Sequence, residues 1–209
     1  MTARVIELAT VLCHSVRLLS IAQIAREWWP AGRDALWRAR ADVNRLSQAN
    51  WLMPIQVLAR PLLELSVPLI DWTPGNDVPD FSAVERRCQE RWTTPAVVTE
   101  VAIADRRSHA VFGGSVPAGL KNPCQTTHDL HVAEIFFRYR RAGLNWRERW
   151  VGEDAIAARW KWKKLPDAVL CDDEGHPSKA VDFGGAYRQE RLQEFHEVCA
   201  GLSLPYEMW

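Results

Sequence analysis

The chain has 209 residues, a hydrophobic fraction of 47%, and 26 Lys and Arg against 26 Asp and Glu. This length suits one large domain or two small ones, and the composition is that of a globular protein. Zero net charge excludes a global attraction to nucleic acid. However, residues 1–51 carry seven Arg against four acids, and residues 137–164 carry nine Lys or Arg against three. Separated basic segments suit a protein that contacts DNA with part of its surface.

The cysteine pattern and the N-terminus indicate a cytoplasmic protein. The five cysteines are scattered without a CxxC pair, which disfavours zinc and favours buried, reduced thiols. The opening residues form an amphipathic pattern rather than a signal peptide. No apolar run reaches the roughly 18 residues of a membrane span, so we expect no membrane contact.

The first half of the chain predicts three helices. Apolar spacing indicates a helix over 4–19, and Ser20 is expected to cap a second, SIAQIAREWW. Pro30-Ala31-Gly32 breaks it, and a third helix starts near Arg33. A short middle helix and a breaker before the third are typical of a helix-turn-helix. Residues 51–72, interrupted by three prolines, predict short edge strands where a wing would lie.

The middle of the chain is less regular. Residues 73–81 predict a loop, 81–92 a helix, and 95–104 either a strand or a continuing helix. Residues 105–127 predict a linker or a flexible loop. We therefore expect an N-terminal domain over 1–80, a connecting segment over 81–126, and a C-terminal domain over 127–209.

The last domain predicts alternating elements. Thr127 is expected to cap a helix that ends at Gly143, and residues 144–157 are expected to begin as a strand. LPDAVLCDD and KAVDFGGAY predict a hairpin around residues 174–177, followed by a helix over 188–202 and a strand over 203–209. The predicted order is helix, strand, strand, strand, helix, strand.

This order, with Pro-Asp on one hairpin strand and an acid on the next, resembles the PD-(D/E)XK nuclease-like core. With a winged helix-turn-helix ahead of it, the chain is similar to the replication-relaxation family of mobile elements and plasmids. The motifs that carry the resemblance are QIAREWW, NRLSQANWL, THDLHVAEIFF, NWRERW, LPDAVL and AVDFGGAY. The implied fold class is α/β, α+β overall, with an N-terminal winged helix-turn-helix and a C-terminal α-β-β-β-α-β core.

The resemblance implies a metal-dependent acidic site. Phosphodiester hydrolysis uses Mg²⁺ held by carboxylates, a positioned water and a cation. The expected catalytic acids are Glu148, Asp167 and Asp182, with Asp167, Asp182 and Glu134 as metal ligands. The family's lysine, two residues after the second acid, is replaced by Gly184. Basic residues elsewhere are candidates to supply the missing charge: Lys161, Lys163, Lys164, Lys179, Arg188 and Arg191.

Other interpretations of these acids remain open. Asp167 and Asp182 also fit ordinary solvent-facing strand positions. His131 and Glu134, one helical turn apart, fit metal binding or a solvated pair.

The third helix supplies the candidate DNA contacts. Arginine, asparagine and glutamine reach base edges and phosphates from a recognition helix. The candidates are Arg33, Arg38, Arg40, Asn44, Arg45 and Gln48. The alternative is that this unit serves dimerisation or packs on the second domain. Trp28, Trp29, Trp37 and Trp51 are expected in its core or at an interface.

WKWKK (160–164) interleaves aromatic and basic residues. Alternation would present Lys161 and Lys163 to DNA phosphates and Trp160 and Trp162 to bases, or would form an ordinary amphipathic strand.

These features favour a DNA-binding protein of a mobile element or plasmid with a catalytically degraded nuclease-like domain. An active endonuclease with a displaced cation, a non-enzymatic transcriptional or plasmid-maintenance regulator, and a purely structural interaction protein are the alternatives. DNA is the expected partner, and a protein partner or homodimer is also compatible with the sequence.

Overall fold

The computed structural model describes residues 2–30, 32–120 and 122–209. It is 46% helix and 18% strand, which confirms the α+β prediction at the level of fold class. The helices and strands in chain order are α1 (Ala3–His14), β1 (Leu18–Ser20), α2 (Ile21–Trp28), α3 (Ala35–Gln48), β2 (Leu52–Ala59), β3 (Ile70–Trp72), α4 (Phe81–Glu90), β4 (Val97–Ala104), α5 (Arg106–Phe112), α6 (Thr126–Arg141), α7 (Trp146–Arg149), β5 (Trp150–Gly152), α8 (Glu153–Arg159), β6 (Ala168–Cys171), β7 (Pro177–Asp182), α9 (Gln189–Gly201) and β8 (Tyr206–Met208).

The chain divides into two compact units. One comprises Met1–Leu62 with Ala96–Arg138, and the other comprises Leu63–Pro95 with Tyr139–Trp209. These bounds differ from the expected breaks at 80 and 126. The reason is long-range pairing: β3 joins β8 and β4 joins β1 and β2, so the segment expected to connect the domains contributes to both units.

The first unit is built on a three-stranded antiparallel sheet in the order β1-β4-β2. β2 is an edge strand, which explains how it accommodates Pro54 within its span. A hydrophobic cluster joins the three strands to α6, and it consists of Leu18, Val57, Ala59, Val101, Ile103 and Leu130.

Local sequence signals set the helices of this unit. Ser20 caps α2 as expected: its Oγ accepts the Gln23 N–H at 3.1 Å, and the Gln23 side chain accepts the Ser20 N–H at 3.1 Å. Ala31, in the predicted break before α3, lies outside the described residues.

Two expectations in this unit were wrong. The first helix ends at His14 rather than near 19, because Leu18–Ser20 pair with Val101–Ile103 as strand β1. Residues 105–127 are not a plain linker, since they contain α5, a 3-10 helix at Pro123–Gln125 and the start of α6.

The second unit holds a five-stranded mixed sheet in the order β3-β8-β7-β6-β5. The pairs β5–β6, β6–β7 and β3–β8 are antiparallel, and β7–β8 is parallel. α4 and α9 cover a core that includes Cys88, Leu192, Phe195, Tyr206 and Met208. The hairpin expected around 174–177 is present, and the Asp172 N–H donates to the His176 carbonyl at its turn.

The segment before β6 departs from expectation. α6 begins at Thr126, not after Thr127, and continues directly from the 3-10 helix. Residues 144–157 begin with the short α7, followed by a three-residue β5 and the start of α8, rather than beginning as a strand. Over the described ranges, no helix combines the length and apolar character that crossing a bilayer requires.

Candidate functional sites

The solvent face of α3 gathers the polar residues expected to contact DNA. Its buried side consists of Ala39, Asp42, Val43 and Leu46. Because an α-helix advances about 100° per residue, the opposite side carries Trp37, Asn44 and Gln48 along its centre. Arginines flank this line, and the six expected contacts are all exposed: Arg33, Arg38, Arg40, Asn44, Arg45 and Gln48.

The charge of this face is positive. Asp42 is the one acid in the sequence of α3, and it is 6% exposed, whereas Asp34 at the N-cap position, next to Arg33, is exposed. Arg45 lies 3.5 Å from it, and Arg40 donates to Glu100 of β4 at 2.8 Å. Both arginine side chains stay at least half exposed in these pairs, so they remain available to a phosphate.

The neighbouring helix α2 is joined to α6 by polar contacts that include a buried side chain. Gln23, fully buried, donates to the Leu130 carbonyl at 2.9 Å and lies 3.3 Å from Glu134. Arg26 donates to both oxygens of Glu134, at 2.9 and 2.7 Å. Glu134 therefore serves a structural ion pair, and the buried His131 next to it bonds the Thr127 carbonyl.

The acid pair expected from the hairpin is present in the second unit. Ala168 is opposite Val181, so Asp167 and Asp182 lie level with each other, and opposite residues of an antiparallel pair share a face. The Asp167 carboxylate accepts the Phe183 N–H at 2.7 Å. Asp182 is 3% exposed. The hairpin thus fixes two carboxylates beside each other at one end of β6 and β7.

Tyr187 lies beside this pair. Burial raises the pKa of its phenol, and the negative charges of Asp182 and Asp167 raise it further, so the hydroxyl stays protonated. Arg191 donates to the Tyr187 oxygen at 2.8 Å and stacks on its ring at 4.0 Å. Arg191 is thereby held against Tyr187, the residue that lies next to the two acids.

A cleft of about 560 Å³ opens next to Arg191. It is lined by Lys163, Lys164 and Arg188 together with acids of α9. Burial lowers the pKa of Lys164, as does Arg191, whereas Glu194 and Asp182 oppose that shift. Lys164 and Arg191 are therefore the cations that the structure brings into the electrostatic neighbourhood of the acid pair.

Gly184 is closely packed. A Cβ atom on it would lie 3.1 Å from Sγ of Cys88, 3.3 Å from Sδ of Met208 and 3.4 Å from the Trp209 carbonyl oxygen. A lysine at this position would require Cys88 and Met208 to shift. The space beside Gly184, where the resemblance expects a lysine side chain to start, is thus lined by side chains of the core.

The remaining expected site residues lie elsewhere. Glu148 is on α7, where Asn145 donates to it at 2.6 Å. Glu148 comes just before Trp150 of β5, which pairs with Leu170 of β6. Asp167 comes just before Ala168, which pairs with Gly152, so the two acids lie at opposite ends of the β5–β6 pair. The structure therefore does not bring Glu148 to the acid pair. The backbone of Glu153 lies next to that of Asp167, since its N–H donates to the Asp167 carbonyl.

WKWKK does not form a strand. Trp160 and Trp162 stack with ring centroids 5.5 Å apart and pack against the core cluster around Val169. Lys161 and Lys163 are exposed, as the sequence predicted. The two tryptophans are thus engaged within the unit and are not displayed for base stacking.

Asp167 and Asp182 could supply the carboxylate ligands of a Mg²⁺ ion, but not a complete set of protein ligands. Mg²⁺ is commonly held by one or two carboxylates together with waters and substrate phosphates. Across residues 2–30, 32–120 and 122–209, no group of three or more His, Cys, Asp or Glu side chains forms a metal cage. Asp167 and Asp182 would be the protein ligands, without the expected contribution of Glu134 or Glu148.

Several residues of these sites were missed from the sequence. Tyr187 and Glu153 gave no signal, because their proximity to Asp167 depends on the sheet and its following turn. Trp37, expected in the core or at an interface, is 70% exposed and therefore not in the core. The sequence did contain an indication of this exposure, since Trp37 lies four residues after Arg33 and seven before Asn44, on the same side of a helix.

No family model, curated protein or solved structure matches this chain. The functional proposal therefore rests on the chemistry of the two sites described above.

Proposed function

We propose that this protein binds double-stranded DNA through the solvent face of α3. The observation that carries the proposal is the composition of that face: three exposed arginines within the helix and Arg33 just before it, with Asn44 and Gln48, against one exposed acid, Asp34 at the N-cap position. Arginine pairs with guanine and with phosphates, and asparagine and glutamine pair with adenine. In line with the resemblance, the protein would act on a mobile element or plasmid by binding rather than by efficient cleavage.

The topology of the first unit supports this role. The first unit has the order α1-β1-α2-α3-β2-β4 with the sheet ordered β1-β4-β2, and the segment Leu63–Pro95 between β2 and β4 belongs to the second unit. This order is compatible with the winged helix-turn-helix that the resemblance implies. In such proteins the second helix of the turn lies in the major groove. In this proposal that helix is α3, and β2 and β4 would supply the strands of the wing.

The proposal is tested by measuring duplex DNA binding over a salt series. Arg33→Ala with Arg45→Ala removes two exposed charges from the face. Since each lost phosphate contact lowers the slope of log K against log salt by about 0.9, the double variant is expected to bind less tightly and with a shallower slope.

The matched control is Arg106→Ala with Arg107→Ala, which removes the same charge from exposed positions at the start of α5. It is expected to retain the wild-type slope. Equal losses in both double variants would show that the α3 face has no special role, and no binding at low salt would refute the proposal.

A second candidate function is metal-dependent phosphodiester hydrolysis at Asp167 and Asp182. The order α6-α7-β5-α8-β6-β7-α9-β8 is compatible with the αβββαβ core that the resemblance implies, with the short helices α7 and α8 as additions. The specific observation in favour is the acid pair with Tyr187, Arg191 and Lys164 near it. A divalent cation bound there would act as a Lewis acid on a phosphate oxygen. The packing of Gly184 weighs against efficient cleavage.

This candidate is tested with supercoiled plasmid in Mg²⁺ or Mn²⁺, comparing wild type, Asp182→Asn and Asp173→Asn. Asp173 is an exposed acid in the hairpin turn and serves as the control. Cleavage lost only in Asp182→Asn would establish hydrolysis. Metal-dependent thermal stabilisation lost only in Asp182→Asn would establish metal binding even without cleavage.

A further inference from the structure

Trp37 differs from every other tryptophan of the chain. All eleven lie in the described ranges, and Trp37 alone is exposed, at 70%. Nearby Trp29 is stacked by Arg4 at 3.5 Å, and Trp28 packs edge-on against Phe137. In the described part of the chain, Trp37 makes no ring contact, hydrogen bond or ion pair. A large apolar ring is thus presented to solvent.

Its position is the centre of the basic face. Trp37 lies one turn after Arg33 and one turn before Arg40, and in line with Asn44 two turns further on. Leu36 beside it is 48% exposed. The apolar ring is therefore surrounded by groups that bind phosphates and base edges.

This setting favours nucleic acid over a second copy of the chain. A symmetric interface through this face would bring the arginines of two copies together, and like charges across an interface are unfavourable. Nucleic acid offers the complementary negative charge. In the major groove, the apolar group available at base edges is the 5-methyl group of thymine.

We infer that Trp37 is a specificity-determining residue that contacts the 5-methyl group of a thymine in the major groove. The inference rests on the proposed DNA binding by α3 and adds the base that this helix distinguishes. Burying one methyl group corresponds to about 0.8 kcal/mol, or about a fourfold change in Kd.

The test uses the full-length protein and a duplex selected by it from a random-sequence pool. Each thymine of the selected site is replaced in turn by uracil, which removes the methyl group and preserves base pairing. Wild type is expected to lose about fourfold in affinity at one or two positions. Trp37→Ala is expected to bind the thymine and uracil duplexes equally.

Leu36→Ala is the matched control, since it removes a neighbouring, partly exposed apolar side chain of α3. It is expected to keep the thymine preference. Because Trp37 is exposed, its removal is expected to leave the denaturation midpoint unchanged, which separates a binding effect from unfolding.

The outcomes distinguish the inference from the proposal beneath it. If Trp37→Ala keeps the thymine preference, or wild type has none, the inference is wrong and DNA binding stands. Tighter, Trp37-dependent binding of single strands, or a dimer lost in Trp37→Ala with unchanged DNA affinity, would also overturn it. If no duplex binds at low salt, the proposed function itself fails.

Discussion

At Gly184, a side chain would meet closely packed neighbours. The three atoms within 3.4 Å of a Cβ at this position include the sulfur atoms of Cys88 and Met208, which belong to the core of the second unit. Substituting a larger residue here therefore forces buried neighbours to move. The difference from the nuclease pattern at this residue is thus coupled to the fold and not confined to the site.

Gly184→Ala is expected to lower the free energy of unfolding by about 1–3 kcal/mol, because overpacking a buried site costs that much. Gly201→Ala is the control, since a Cβ there meets nothing within 4 Å and the residue ends α9. Alanine is expected to be neutral or mildly stabilising at 201. Urea denaturation measures both, and an unchanged midpoint for Gly184→Ala would contradict the packing argument.

His196 is expected to make the stability depend on pH. It is 8% exposed, its Nδ1 lies 3.1 Å from the Tyr206 hydroxyl, and Trp72 packs edge-on against its ring. Burial lowers its pKa, although Glu197 opposes the shift. The unfolded chain therefore takes up this proton first. The free energy of unfolding is expected to fall as pH drops below about 6.5 and to level off below the folded-state pKa.

His196→Gln is expected to remove this part of the pH dependence. The loss in wild type is at most about 1.4 kcal/mol per pH unit between the two pKa values. His176→Gln changes an exposed side chain in the hairpin turn and is expected to keep the wild-type profile. Urea denaturation from neutral to mildly acidic pH compares them, and identical profiles for all three proteins would contradict the assignment.

At the scale of elements, α2 shows how a local signal determines where a helix begins. Ser20 and Gln23 form a reciprocal capping box, and Gln23 also bonds the Leu130 carbonyl. Ser20→Ala is expected to lower the free energy of unfolding by about 1 kcal/mol. Ser47→Ala, within the last turn of α3, is expected to have little effect or to stabilise slightly. Equal denaturation midpoints for the two variants would show that the cap contributes nothing.

Elements set by local sequence could be predicted, and elements set by long-range pairing could not. The cap of α2, the hairpin turn and α9 follow from residues close together in sequence. β1 has only three residues, and its pairing with Val101–Ile103 decides its conformation. For the same reason the expected helix over 4–19 was too long.

The candidate sites divide in the same way. The solvent face of α3 and the Asp167–Asp182 pair were predictable, because helical spacing and hairpin register are local properties. The exclusion of a side chain at Gly184 was not, because Cys88 is distant in sequence. The proximity of Lys164 and Arg191 to the acids likewise depends on how α9 packs within its unit.

At the scale of the whole molecule, zero net charge conceals an uneven distribution. The arginines of α3 belong to one compact unit and the acid pair belongs to the other. Electrostatic binding depends on the local positive face, so a protein without net charge can bind DNA with a steep salt dependence.

If the α3 face alone binds DNA, removing the Asp182 charge is expected to leave duplex affinity nearly unchanged. Without divalent cations, Asp182→Asn is expected to change duplex affinity by less than about twofold, whereas Arg33→Ala with Arg45→Ala weakens it more strongly. Because independent sites add, the triple variant is expected to show the sum of the two effects within about 0.5 kcal/mol. Fluorescence anisotropy on one labelled duplex measures all four proteins. A larger coupling, or an Asp182→Asn effect equal to that of the arginine pair, would show that the second unit takes part directly in DNA binding.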